Sequence, residues 1–392
     1  MISYNQIIKE VFRIKEEIIS IRRHIHRHPE LSFQEYNTTE YIKSQLTKYG
    51  IKCFLLKGTG IIGIIGNGEK SILLRADIDA LPIQEATDES FISKNDGIMH
   101  ACGHDLHTAM LLATGIILKK YENAIKGKVI LLFQPGEELL PGGAKAVIES
   151  GILDEHNIIA AFGQHVNPVL ETGKIMLNTG ISMASSDELY WTIKGKSCHA
   201  AQPNLGVDAI LPATAIVQAI QNIQYFHKNP LETSIVSITA INGGNVTNVF
   251  PDTVEMKGTL RCFSDEWREN LHNILNTYSK GICQIYGASC FLEIKKGYPS
   301  LINDKIMVDV VKEVAVNLWG KDSYKENEPV LWAEDFAYIA RKYPSCFWFL
   351  GAKKDDTDTI YPLHNPRFSP NEDSMVIGTS LLCGIAKNFF NF

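Results

Sequence analysis

The stretch from Met99 to His107, MHACGHDLH, places one cysteine, three histidines and one aspartate within nine residues. Packing seldom asks for that density and metal binding often does. One glycine separates Cys102 from His104, so both side chains can turn toward one point, and a thiolate beside an imidazole suits a borderline-soft cation such as Zn²⁺. The plainer account of the run is a helix N-terminus with incidental polar residues. A second feature is Glu137-Glu138, which follows Pro135-Gly136 at the end of the apolar run Lys128 to Gln134. Ligands of open α/β sheets gather beyond the carboxyl ends of strands. Neighbouring side chains on a straight strand face opposite ways, so both glutamates reach one site only where the backbone turns, and Pro135-Gly136 supplies a turn. Standing alone, the pair would read as a solvated acidic loop. His165 and His364 each come after an apolar run, Ile158 to Gly163 and Cys346 to Leu350; singly, each would read as a structural histidine.

Taken together, Cys102, His104, Glu138, His165 and His364 make five candidate metal ligands, more than the three that a one-zinc catalytic site uses beside its water. Two divalent ions per subunit, zinc, manganese or cobalt, are therefore expected. Such a pair, roughly 3.5–4 Å apart, acidifies a bridging water and polarises a carbonyl. Glu137 is spare in this count and is the expected general base, able to take a proton from that water and deliver it to a leaving nitrogen. Asp77 and Asp79 are two apart at the end of ILLRADIDALP and share a strand face. They are assigned to support imidazole ligands from behind, with a helix cap or a salt bridge to Arg75 as the alternative. His100, Asp105 and His107 stay open as ligands or as supporting residues.

The elements that must carry these residues alternate in type. Ile7, Val11, Ile14, Ile18 and Ile21 recur at helical spacing, predicting one amphipathic helix, and a second covers Phe33 to Tyr49. Strands are predicted at Gly60 to Ile65, Ser71 to Ala76, Lys128 to Gln134 and Ile158 to Gly163, with helices at Asp105 to Tyr121 and Gly143 to Ser150. From about Ser185 the order becomes β-α-β-β-α-β: a strand at Asp187 to Gly195, a helix at Gly206 to Phe226, strands at Ser234 to Asn242 and Thr253 to Phe263, a helix at Asp265 to Tyr286 and a strand at Ser289 to Gly297. That is the ferredoxin-like plan. Helices at Asp304 to Leu318 and Glu334 to Arg341 and the strand Cys346 to Leu350 then return the chain to α/β alternation. The expected fold is α/β: a discontinuous catalytic metal-binding domain (1–184 and 298–392) with a central mixed sheet flanked by helices, and an inserted ferredoxin-like α+β domain (185–297). The insertion follows from His364, a candidate ligand that lies beyond it.

Composition narrows the function classes. The 392 residues are 45% hydrophobic and 21% charged, with a formal net charge of -6 and no long run of Lys or Arg, so no extended electrostatic footprint for nucleic acid is present and small molecules are the expected partners. Eight cysteines without CxxC spacing argue for free thiols in a reducing compartment. The first 26 residues hold no uninterrupted apolar core, so neither a signal peptide nor a membrane span is expected there, and the expected location is the cytoplasm.

At this point the chain resembles the amidohydrolase branch of the zinc aminoacylase and carboxypeptidase superfamily: hippurate hydrolases, auxin-amide hydrolases and N-acetyl-diaminopimelate deacetylases. The resemblance rests on RRHIHRHPELSFQE, LLRADIDALPIQE, MHACGHDLHTAMLLATG, FQPGEE, GAKAVIESG, SCHAAQP, NVTNVFPDTVEMKGTLR, AEDFA and LHNPRF. It implies the same five metal ligands and Glu137 as base, hence a dinuclear metal-dependent amidohydrolase that cleaves the linear amide of N-acyl amino acids. It also implies that the inserted domain dimerises and acts as a lid. His199 of SCHAAQP would then steady the oxyanion in the neighbouring subunit's site, and Asn248 of NVTNVFP would help hold substrate. Cys198, where Gly or Ser is usual, and Gln164, where Leu is common, depart from the pattern.

Three rivals are weighed. Gly58-Thr-Gly-Ile-Ile-Gly63 fits a dinucleotide-binding fingerprint, but that motif needs a helix opening at its last glycine, whereas a turn at Gly66-Asn67-Gly68 leads, as in a hairpin, into the next strand. A non-catalytic metal-binding protein is the second, but a structural zinc site closed by four ligands has no use for a spare Glu137. A dipeptidase or carboxypeptidase of the same superfamily is the runner-up.

Overall fold

The computed structural model describes residues 2–354 and 359–392. The chain opens with α1 (Tyr4–Arg13), α2 (Lys15–Arg27) and α3 (Tyr36–Lys48), then β1 (Lys52–Leu55), β2 (Ile61–Ile65), β3 (Lys70–Asp77), α4 (His104–Lys119), β4 (Lys128–Gln134), α5 (Gly143–Glu149), β5 (Asn157–Glu171), β6 (Ile175–Leu177) and β7 (Gly180–Met183). Next come β8 (Ser185–Lys194), β9 (Cys198–His199), α6 (Ile210–Phe226), β10 (Ser234–Asn242), β11 (Val249–Phe250), β12 (Thr253–Cys262), α7 (Asp265–Ile285) and β13 (Ser289–Lys296). The chain closes with β14 (Leu301–Asn303), α8 (Lys305–Trp319), β15 (Tyr324–Glu326), α9 (Ala337–Lys342), β16 (Ser345–Lys353) and α10 (Ser374–Phe390). It forms two compact units, Met1–Ser182 with Ile302–Glu328 and Asp335–Phe392, and Met183–Leu301 with Pro329–Glu334.

The larger unit is built on an eight-stranded mixed sheet in the order β1-β2-β4-β3-β5-β16-β6-β15. Its centre is parallel: β3 lies between β4 and β5, and β5 pairs with β16. Their apolar runs, such as Ile72–Leu74 of β3 and Val129–Phe133 of β4, are continuous rather than alternating because both faces are covered; β3 and β4 are buried at every position but their first. The helix α4 is buried all round except at its last residue and packs against α2 and α10.

Two expectations about this unit need correction. The helix expected through Ile7 to Ile21 is two, because Ile14 (φ -105°, ψ 12°) leaves helical geometry between α1 and α2. The turn at Gly66 does not make a hairpin of β2 and β3, since β4 lies between them, parallel to β3 and antiparallel to β2. No helix opens at Gly63, so the dinucleotide fingerprint lacks its required context.

The smaller unit carries a four-stranded antiparallel sheet in the order β10-β12-β8-β13. With α6 and α7 it is the ferredoxin-like β-α-β-β-α-β unit. Leu189, Trp191 and Ile193 alternate along β8 and meet Ile216 and Ile220 of α6 and Leu271 and Leu275 of α7 in one core.

Candidate metal centre

Five segments of the larger unit converge at the carboxyl ends of its parallel strands. Asp77 ends β3 and pairs across to Gln134, the end of β4, so the loops carrying Asp79 and Glu137-Glu138 leave the sheet side by side. His165 lies within β5, which runs on to Glu171, rather than past its end; the register of Arg75 with Gly163 brings it level with Asp77. Gly103 is the N-cap of α4 and separates Cys102 from His104. Its φ of +90° and the 2.3 Å that a Cβ would leave to Val166 require glycine there. His364, in the loop after β16, has a left-handed backbone (φ 64°) and donates its N–H to Ala101 O at 2.8 Å.

The structure brings the five candidate ligands together. Cys102 Sγ lies 3.3 Å from His165 Nε2 and 3.3 Å from His364 Nε2, and His364 Nε2 lies 3.1 Å from Glu138 Oε1. Donor atoms of Cys102, His104 and His165 fall within 4.8 Å of one another, as do those of Cys102, Glu138 and His364, and those of His104, Glu137 and Glu138. Glu137, the expected base, therefore borders the same cluster, and it is 8% exposed.

The donor set fits cations. His104 Nδ1 is held by Asp79, 2.9 Å from its carbonyl and 3.2 Å from Oδ1, and His165 Nδ1 bonds to Val166 O at 2.8 Å. Both bonds leave the Nε2 lone pair facing the cluster. His104 Nε2 is buried without a hydrogen-bond partner, and so is Glu138 Oε1, whose approach to His364 lacks hydrogen-bond geometry. Burial opposes charge on His104, yet Asp77 and Asp79 push it up to about 10. Burial, then Glu138 and Glu137, hold the Cys102 thiol well above its usual range. A site this rich in carboxylate favours positive charge, and bound divalent ions would reverse both tendencies by holding thiolate and neutral imidazole.

The residues left open take other places. Asp105 meets Arg22 at 2.7 Å and His26 at 2.8 Å. His107 uses both nitrogens, on Asp77 Oδ1 at 2.6 Å and Val166 N at 2.9 Å. His100 belongs to none of the metal-competent groups among the described residues. Both alternatives for the aspartates hold: Asp79 backs His104, while Asp77 takes His107 and a salt bridge from Arg75 at 2.7 Å. The sequence pattern does not reveal that Asp79 also fixes the acidic loop, its Oδ2 accepting Glu138 N at 2.9 Å and Ser32 Oγ at 2.7 Å. Nor does it reveal Glu35, whose carboxylate accepts Gly136 N at 2.8 Å.

In the smaller unit, His199 is exposed on β9, which pairs with β11. Its Nδ1 accepts Ala201 N at 3.0 Å, which puts the ring proton on Nε2 in the neutral form. Asn248 is exposed in the segment before β11, its carbonyl accepting Ala200 N at 2.9 Å. No helix among the described residues is long and apolar enough to cross a membrane.

Comparison with known proteins agrees with this architecture. Residues 73–388 match the model of peptidase family M20/M25/M40. The chain is 38% identical over 381 residues to an N-acetyl-L-cysteine deacetylase of Bacillus subtilis, covering 96% of this chain and 89% of the relative. It is 36% identical over 388 residues to thermostable carboxypeptidase 1 of Saccharolobus solfataricus, covering 97% and 98%. A crystal structure of a dinuclear metal binding peptidase of the M20 family from Bacillus subtilis superposes with a TM-score of 0.82 at 34% identity, covering 97% of this chain and 99% of that one. With the family model spanning most of its length and such relatives nearly all of it, this chain belongs to peptidase family M20/M25/M40 and is a hydrolase.

Proposed function

We propose that this hydrolase cleaves the amide bond of N-acyl amino acids, of N-acetyl or N-benzoyl type, releasing a carboxylic acid and the amino acid. The observation that carries the reading is Glu137 beside His104 and Glu138, all three within 4.8 Å at their donor atoms: a carboxylate beyond the five-ligand set yet in reach of whatever that set binds. Cys102, His104, Glu138, His165 and His364 would hold two divalent ions, zinc, manganese or cobalt, which acidify a water and polarise the acyl carbonyl when bound. Glu137 accepts the proton of the attacking water and returns it to the leaving nitrogen. The inserted segment 185–297 serves as a dimerisation and lid domain. Nε2–H of His199 is the donor for the oxyanion in the partner subunit, and Asn248 holds substrate. The relative named as a deacetylase of N-acetyl-L-cysteine supports the acyl amino acid as substrate class.

The second reading is peptidase activity, favoured by the similarity to a carboxypeptidase. A hydrolysis screen of N-acetyl and N-benzoyl amino acids against dipeptides, run with each metal, separates the two, and faster dipeptide cleavage would promote the second. Glu137→Gln is expected to keep its metal content and lose nearly all rate. If it instead lost metal, Glu137 would be a ligand and not the base.

A further inference from the structure

The motif HPELSFQE has no part in the chemistry above, yet its side chains run to the loop that carries Glu137. Glu35 is fully buried, and three donors converge on its carboxylate. Oε1 accepts Gly136 N at 2.8 Å and Phe33 N at 2.9 Å, and Oε2 accepts Thr59 Oγ1 at 2.6 Å. None of the metal-competent groups among the described residues includes it. Its task is therefore local, and the local feature is the turn at Gly136, whose φ is +64°. The ring of Phe33, itself at φ 63°, covers that turn so closely that a Cβ at 136 would lie 2.4 Å from it. Glu137 is thus bracketed by two anchored amides. The preceding one, Gly136 N, rests on Glu35, and the following one, Glu138 N, rests on Asp79 at 2.9 Å. Asp79 also holds the candidate ligand His104, whereas the hydrogen bonds to Glu35 come from Phe33, Thr59 and Gly136 and from no candidate ligand.

We propose that Glu35 is a positioning residue for Glu137, locking the Pro135-Gly136 turn so that the base carboxylate stays beside His104 and Glu138. The proposal rests on Glu137 being the base. Without the Glu35 acceptor, Gly136 N–H is buried and unpaired, and the turn has reason to shift toward another acceptor. A displacement on the order of 1 Å at a reacting group can cost about a hundredfold in rate.

A double-mutant cycle tests it with the metal-loaded enzyme. Glu35→Ala is expected to lower kcat by about tenfold to a hundredfold, with KM held within about twofold, while elemental analysis still finds the wild-type metal content. In a Glu137→Gln background the same change is expected to lower the residual rate by less than about twofold, because the group being positioned is already disabled. Burial raises the Glu35 carboxyl to about 7, so the neutral form costs little there, and Glu35→Gln, whose amide oxygen can accept the same N–H groups, is expected to restore kcat. Equal losses in both backgrounds, or loss of metal from Glu35→Ala, would overturn the proposal. Should Glu35→Ala fail to fold, Glu35→Asp, one methylene too short for Gly136 N, enters the same cycle with the same expectations. Near-normal kcat in Glu137→Gln alone would instead overturn the underlying reading of the base.

Discussion

Asp79 shows how much of this site hangs on one carboxylate. It is buried, and its oxygens take His104, Ser32 and the backbone of Glu138 together. Burial alone would raise its pKa, but the bond to His104 and the charge there bring it below the usual carboxylate range, so it stays ionised at neutral pH and stabilises an ordered imidazole. Asp79→Ala is expected to weaken metal binding by about tenfold to a hundredfold, checked by competition with a chromogenic chelator. Unchanged affinity would mean that Asp79 only shapes the loop. At this scale the sequence is most legible where chemistry is local. The Cys102-Gly103-His104 spacing and the Glu137-Glu138 pair announce themselves, while Glu35 and Asp79 act on amides 101 and 59 positions away. Nothing in a linear pattern marks a buried carboxylate that accepts backbone N–H groups from a distant turn.

Elements are legible wherever burial follows a period. The alternation along β8 and the amphipathic face of α7 reveal the order of the inserted unit, and Asp187 ties those two elements together. Its carboxylate takes Arg268 Nε at 2.9 Å, His272 Nε2 at 2.6 Å and Gly297 N at 3.1 Å. Burial pushes the Asp187 carboxyl up, but the Arg268 and His272 bonds outweigh it and hold it at about 2. A carboxyl depressed on folding adds stability that is complete above its unfolded value, roughly 3.9, and that is lost as pH falls through the folded one. The stability gap between wild type and Asp187→Asn is therefore expected to shrink by about 2 kcal/mol between pH 5 and pH 2. Urea unfolding followed by the fluorescence of Trp191 and Trp267, both buried in this unit, would read it, and a pH-independent gap would contradict the assignment. What the periodic signal misses has physical causes. The apolar spacing runs across the break at Ile14, so pattern alone joins α1 to α2. β5 continues through Gln164, His165 and Asn167 because β16 pairs with it up to Asn167 and, past a bulge, again at Glu171, a ladder that sustains a strand after its apolar run has ended. α10 is buried on nearly every side and has no polar face to announce it.

At the scale of the whole molecule, the candidate ligand His364 after the insertion is what points to a discontinuous domain, because no contiguous half contains both Cys102 and His364. The role proposed for His199 extends this logic beyond one chain, since the residue is exposed on β9 with its ring proton directed to Nε2 by the Ala201 bond. His199→Ala is expected to cut kcat by about 10²–10³, the cost of one preorganised oxyanion donor, with less effect on KM. Such a loss does not say which subunit the histidine serves; mixing does. If each site joins its own Glu137 to the partner's His199, a heterodimer of His199→Ala and Glu137→Gln chains has one site with both groups intact and one with neither. Unfolding and refolding an equimolar mixture makes about half the dimers mixed, so about a quarter of wild-type activity should return, although each variant alone is nearly inactive. If His199 served its own subunit, every site in every dimer would carry one lesion, and the mixture would do no better than the average of the two variants. Recovery of activity thus tests the dimer, the lid histidine and the independence of Glu137 in a single measurement, and its absence would confine the chemistry to one chain.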